Sequence, residues 1–163
     1  MNTPMQIVLV SGLSGSGKSI AIAVLEDIGF YCVDNLPLAM LLALVEHLTQ
    51  EGHSRIAIAI DARSGASFAQ LPQIADTLRE QGADLRIIFL EAKTLSLVKR
   101  FSETRRRHPL SSDTVSLQEA IQLEREMLAD IAPLGNRIDT SDLSASALRL
   151  WIKELIGQDR SRI

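Results

Sequence analysis

The sequence has a single cysteine, Cys32, so no disulfide can form within it, and a reducing, cytoplasmic setting is the natural expectation. Aromatic residues are scarce: four Phe, one Tyr and one Trp are too few to suggest a platform on which bases stack. No apolar run approaches the ~18 residues of a membrane span, and residues 39–45 and 56–60 are core-sized pieces. The first ten residues lack a basic n-region, which speaks against a signal peptide and leaves no membrane role expected. With a net charge of −3 there is no global attraction to nucleic acid or anionic lipid. No internal repeat, metal-ligand spacing of His, Cys and Asp, or Ser/His/Asp set is recognisable.

What is present is 46% hydrophobic content spread over 163 residues. A chain of that size can bury roughly 70% of its unfolded surface, enough for one domain without staples. Apolar runs alternate with helical patterns. Residues 6–10 read as a strand, 18–28 as a helix stopped by Gly29, and 30–33 as a second strand. A helix over 38–50 follows Pro37, then come a strand over 56–60, a helix over 68–81 and a strand over 85–90. Thr94 can cap a helix running to about Arg106, short of Pro109. Ser116 and Glu119 form a capping box that opens a helix to about Ile131. Residues 137–139 make a weak fifth strand, and 144–156 a last helix closed by Gly157. The pattern predicts an α/β P-loop NTPase fold of three layers. Its mainly parallel sheet of about five strands is covered by helices on both faces.

Gly12-Leu13-Ser14-Gly15-Ser16-Gly17-Lys18-Ser19 matches G-x-x-x-x-G-K-[ST] in full, between a strand and a helix. Such a loop aims backbone N–H groups at phosphate oxygens at a helix N-terminus. Lys18 would lie against the β- and γ-phosphates, and Ser19 would offer its hydroxyl to Mg²⁺. Asp61, at the end of the third strand, stands where a second carboxylate would orient that Mg²⁺; its other reading is a cap for the next turn. Lys18 and Asp61 are the candidate catalytic pair, and Arg63 and Ser64 on the same loop could reach phosphate or the metal's waters. The cofactor so implied is ATP or GTP with Mg. After Asp61 the spacing is D-x-x-x-G, and Asn136-Arg137-Ile138-Asp139 is not preceded by a strand, so no guanine code is expected.

Asp34-Asn35 ends the second strand and reads either as a base for an acceptor's proton or as an Asx turn before Pro37. Residues 99–107 carry five basic residues and one acid, on a chain that is otherwise acidic. Arg105, Arg106 and Arg107 could close over a triphosphate, neutralise transferring phosphate or grip RNA; a solvated helix end is the alternative. His108 reads as local structure and Cys32 as a buried small hydrophobe.

The P-loop, the run Leu25 to Pro37 with its DNLP, the run Asp61-Ala62-Arg63-Ser64 and the TRRRHPLSS stretch together resemble the RNase adapter protein RapZ family. The resemblance runs from Gln6 to about Ile156. It implies a domain that binds and hydrolyses ATP and GTP, with residues 12–19 as the ATP-type site and 61–64 as a second, GTP-contacting segment. In the best-known members the protein binds a small regulatory RNA, presents it to an RNase and controls glucosamine-6-phosphate synthesis. Family members are longer, with a carboxyl-terminal domain that looks like the main RNA-binding part. Residues 1–157 are therefore expected to be the nucleotide domain and 158–163 the start of a linker. Self-association into a homo-oligomer stays open. Read from the residues alone, a small-molecule phosphotransferase of the nucleotide-kinase type is the alternative.

Overall fold

A computed structural model describes residues 5–60, 69–104, 107–129 and 131–160. Five parallel strands, β1 (Gln6–Gly12), β2 (Tyr31–Leu36), β3 (Arg55–Ile60), β4 (Asp84–Glu91) and β5 (Asn136–Asp139), form one sheet in the order β2-β3-β1-β4-β5. Connecting them are helices α1 (Lys18–Asp27), α2 (Leu41–Gln50), α3 (Leu71–Glu80), α4 (Thr94–Thr104), α5 (Leu117–Met127) and α6 (Ala145–Arg160). The strands read as continuous apolar runs because both faces are covered. Alternate residues of β1 enter opposite cores: Ile7 and Leu9 meet α2, α3 and α5, while Val8 and Val10 meet α1 and α6. β1 lies between β3 and β4, its Val10 opposite Ala59 on one side and Ile88 on the other. This central strand leads straight into residues 12–19. The three-layer parallel fold expected from the pattern is the fold found.

The boundaries differ in places, for local reasons. β2 does not stop at Val33 but continues to Leu36 through an irregularity between Val33 and Leu36, where Asn35 takes φ 55°. Pro37 is extended, so the next helix begins as a 3₁₀ turn over Leu38–Met40 and becomes α-helical only at Leu41. Thr94 is the first helical residue of α4 and not its cap; its Oγ1 accepts from Arg125 Nη2 at 3.2 Å. The Ser116 cap is real, with Glu119 N–H donating to Ser116 Oγ at 3.2 Å, but the α-helix ends at Met127, short of Ile131. Gly157 does not close α6, which runs on to Arg160. One glycine near the end of an otherwise helical run weakens a helix by ~1 kcal/mol without breaking it.

Candidate functional site

The backbone of residues 12–19 is set by close approaches that only glycine allows. Gly12 has φ 149°, and a Cβ there would stand 2.3 Å from the Leu90 carbonyl oxygen on β4. Gly17, at φ 113° and ψ 16°, is the N-cap of α1 and supplies no side-chain cap. Leu13 N–H donates to Leu90 O at 3.1 Å, and Ser16 N–H to Leu13 O at 3.0 Å, which folds the loop back on itself. The first intrahelical bond is Ala21 N–H to Gly17 O at 3.0 Å. The N–H groups of Lys18, Ser19 and Ile20 therefore have no carbonyl within α1, and the first turn holds no acidic residue. Open N–H groups and the positive end of the helix dipole converge at the residue that carries the Lys18 side chain, a combination suited to an anion. Lys18 is half-buried and Ser19 exposed.

Three side chains from distant elements fix the loop from behind. Arg100 of α4 donates through Nη1 to Gly15 O at 3.0 Å and to Thr140 Oγ1 at 3.1 Å, and through Nη2 to Thr140 O. Thr140, just past β5, donates its hydroxyl to Ser16 O at 2.7 Å. Glu124 of α5, fully buried, accepts the Ser14 N–H at 2.7 Å and the Ser14 hydroxyl at 2.6 Å. It also accepts from His108 Nε2 at 3.1 Å, while His108 Nδ1 accepts the Leu110 N–H at 3.0 Å. The Leu110 bond fixes the tautomer, leaving the proton on Nε2 for Glu124. Burial alone would raise the Glu124 carboxyl, but the His108 and Ser14 hydrogen bonds outweigh it and hold the group below the ordinary carboxylate range.

The other expected residues are distributed unevenly around this loop. The β1–β3 register carries the end of β3 level with Ser11, which delivers the chain to the same edge of the sheet as the loop. Asp61, Ala62, Arg63 and Ser64 themselves lie outside the described residues, as do Arg105 and Arg106. Arg107 is at the surface, its Nη2 3.5 Å from the Asp113 carboxylate. Asp34 and Asn35 are exposed on the edge strand β2, where the Asp34 carboxylate accepts the N–H of the adjacent Asn35 at 2.8 Å, not the i+2 bond of an Asx turn. Asp139 stands at the carboxyl end of a strand after all, because Asn136–Asp139 is itself β5. Its Oδ1 is taken by the Ser141 hydroxyl and N–H, at 2.6 and 2.9 Å, which lowers its pKa. Cys32 is only half-buried; desolvation first, and the Glu26 charge second, push its thiol up to about 11.

Sequence reasoning missed Glu124, Thr140 and the separate role of Arg100 within the basic patch. A signal for Glu124 existed: Leu117, Ala120, Ile121, Glu124 and Leu128 share one helix face, and a lone carboxylate on that apolar stripe needs a partner. His108 is buried and bonded at both ring nitrogens, locally to Leu110 N–H and across to Glu124 of α5.

Comparisons with known proteins agree with the architecture. A relative from Thiobacillus denitrificans, named a nucleotide-binding protein, is 86% identical over 98% of this chain and 57% of its own length. One from Azoarcus sp., also named a nucleotide-binding protein, is 62% identical over 94% of this chain and 52% of its own. The chain thus spans about half the length of the curated relatives it matches. Among solved structures, the shikimate kinase of Acinetobacter baumannii superposes with a TM-score of 0.59 at 15% identity, covering 96% of this chain and 95% of that one. YorR of Bacillus subtilis, in complex with phosphorylated GDP, gives a TM-score of 0.62 at 16% identity, with 95% and 98% covered. At such identities the likeness is one of fold, that of P-loop kinases. The RapZ-like N-terminal domain profile matches residues 5–160, and the chain belongs to that family.

Proposed function

We propose that this domain binds a nucleoside triphosphate with Mg²⁺ at residues 12–19 and hydrolyses it slowly, as the regulatory domain of a longer RNase adapter. The observation that carries the reading is the α1 N-terminus: uncapped, free of acids in its first turn, and entered by a loop whose glycines let the backbone turn inward. The open N–H groups of the first turn take phosphate oxygens, and the Lys18 ammonium neutralises the outer phosphates. Among the described residues no group of three His, Cys, Asp or Glu could hold a metal by itself. Mg²⁺ at such sites is held by one or two protein oxygens, several waters and the phosphates. The Ser19 hydroxyl is one such oxygen, and Asp61 is the proposed carboxylate; the metal supplies charge neutralisation on the phosphates. Arg63, Ala62 and Ser64 join Asp61 as contacts on that side, and Arg105 and Arg106 are proposed to close over the phosphates.

The names of the relatives support nucleotide binding in general, not a choice between ATP and GTP. The RNA, the RNase and the control of glucosamine-6-phosphate synthesis belong, in this reading, to the longer protein. The reaction is tested with γ-labelled ATP, Mg²⁺ and a metabolite extract. Label released slowly as inorganic phosphate supports a regulatory hydrolase; label transferred to an acceptor supports a phosphotransferase instead.

A further inference from the structure

We infer that Glu124 positions the Ser14 turn of the phosphate loop for its ligand, and that His108 positions Glu124; the inference rests on the nucleotide reading above. A buried carboxylate is costly unless its oxygens are fully bonded, and a carboxylate set against a loop meant for phosphate would be a liability without a role. Glu124 accepts three donors: Ser14 N–H and His108 Nε2–H on Oε1, and the Ser14 hydroxyl on Oε2. The bond from Ser14 N–H takes that one group out of the set available to a ligand and turns the loop at its third residue. Two oxygens gripping both polar groups of one residue fix its orientation as well as its place.

His108 completes the arrangement. Its imidazole is fully buried, is held by Leu110 N–H on one side, and gives its only N–H to Glu124. Phe101 lies beside it, with ring centroids 5.3 Å apart, and the same Phe101 ring would be 3.1 Å from a Cβ at Gly15. The loop thus has Glu124 and Phe101 on its rear, and His108 contacts both. Because His108 directly follows Arg107, the basic stretch is anchored at one end to the carboxylate that orders the phosphate loop. This bond joins the Arg100 contact with Gly15 O as a second link between that part of the chain and the loop.

A purely structural pair would support folding and leave nucleotide affinity of the folded protein unchanged. A positioning pair must act on affinity. Gln at 124 keeps the shape and an acceptor for Ser14 N–H and His108 Nε2–H but removes the negative charge, and its –NH₂ reverses the bond to the Ser14 hydroxyl, so the grip on the loop weakens. Gln at 108 carries an N–H that can reach toward Glu124, whereas Ala carries none. Calorimetric titration with Mg·ATP compares the wild-type chain with Glu124→Gln, His108→Ala and His108→Gln, with the folded fraction of each measured by circular dichroism. We expect affinity per folded molecule to fall about 30-fold in Glu124→Gln and about tenfold in His108→Ala, as charge-assisted bonds are lost, and to stay within about threefold in His108→Gln. If Glu124→Gln does not fold, the two His108 variants decide. Folded Glu124→Gln binding within about threefold of wild type overturns the inference, as does equal weakening in both His108 variants, since single charge-assisted bonds are worth more than that. Failure of the wild type to bind Mg·ATP overturns the nucleotide reading itself and takes this inference with it; wild-type binding matched by unaffected variants overturns only the roles of Glu124 and His108.

Discussion

Replacing Thr140 by Val removes one hydroxyl and keeps the shape, which makes it a clean probe of the loop's rear support. Thr140 is 2% exposed, and its hydroxyl is donated to Ser16 O at 2.7 Å, with Glu91 O more distant at 3.3 Å. The methyl that takes its place fills nearly the same volume, so no cavity forms and the β-branched backbone preference is retained. Arg100 still reaches Gly15 O and the carbonyl of residue 140, so the loss falls mainly on the Ser16 carbonyl, left without a donor in a buried site. A buried polar group deprived of its partner costs about 1–3 kcal/mol. For a domain of this length each kcal/mol lowers Tm by roughly 2–4 °C, so the variant should melt roughly 2–12 °C below wild type. Urea unfolding followed by circular dichroism gives the free energy directly, with an unchanged slope if only stability has moved. The Thr140→Ser variant keeps the hydroxyl and should lose no more than about 1.5 kcal/mol, the methyl's share. If Thr140→Val is as stable as wild type, or Thr140→Ser is the worse of the two, the hydroxyl does not hold the loop.

Gly12→Ala should destabilise by about 2–4 kcal/mol in the same assay, because the added carbon meets the backbone of β4 at a positive φ; an unchanged midpoint would mean that β1 and β4 separate freely there. ATP and GTP should bind within about tenfold of each other, under roughly 1.4 kcal/mol, since one oxygen of Asp139 is already committed to Ser141. A hundredfold preference for GTP would show that Asp139 or another group reads the base. Alkylation of Cys32 should keep accelerating until pH about 11, because burial holds the thiol protonated; a plateau near the ordinary thiol value would place the sulfur in solvent.

The strands β1, β3 and β4 were legible because a strand covered on both faces leaves an unbroken apolar run, as at residues 6–10, 56–60 and 85–90. The phosphate loop was legible because Gly12 and Gly17 occupy conformations and close approaches that other residues do not tolerate. The end of β2 was not, since Asp34 and Asn35 are turn formers by local preference and form an irregularity, with Asn35 left-handed, before pairing with β3 resumes at Leu36. Nor was the loop's support. Ser14 and Glu124 are 110 positions apart, and Ser16 and Thr140 are 124 apart. Local propensity carries no record of such partners; only the misfit of a carboxylate on an apolar helix face hints at one. The basic patch divided on folding in a way charge counting cannot foresee, with Arg100 turned in to Gly15 O and Arg107 turned out to Asp113.

The central claim is that residues 12–19 bind a nucleoside triphosphate through Lys18, and thermal unfolding with Mg·ATP tests it most directly. A ligand that binds only the folded state adds about 2.7 kcal/mol at 100 times its dissociation constant, a rise of roughly 5–11 °C in Tm for a domain of this size. The account predicts that rise for the wild-type chain and its loss in Lys18→Ala, whose ligand-free Tm should stay near wild type because Lys18 is half-buried at the protein surface. No shift with wild type, or an equal shift in Lys18→Ala, would contradict it.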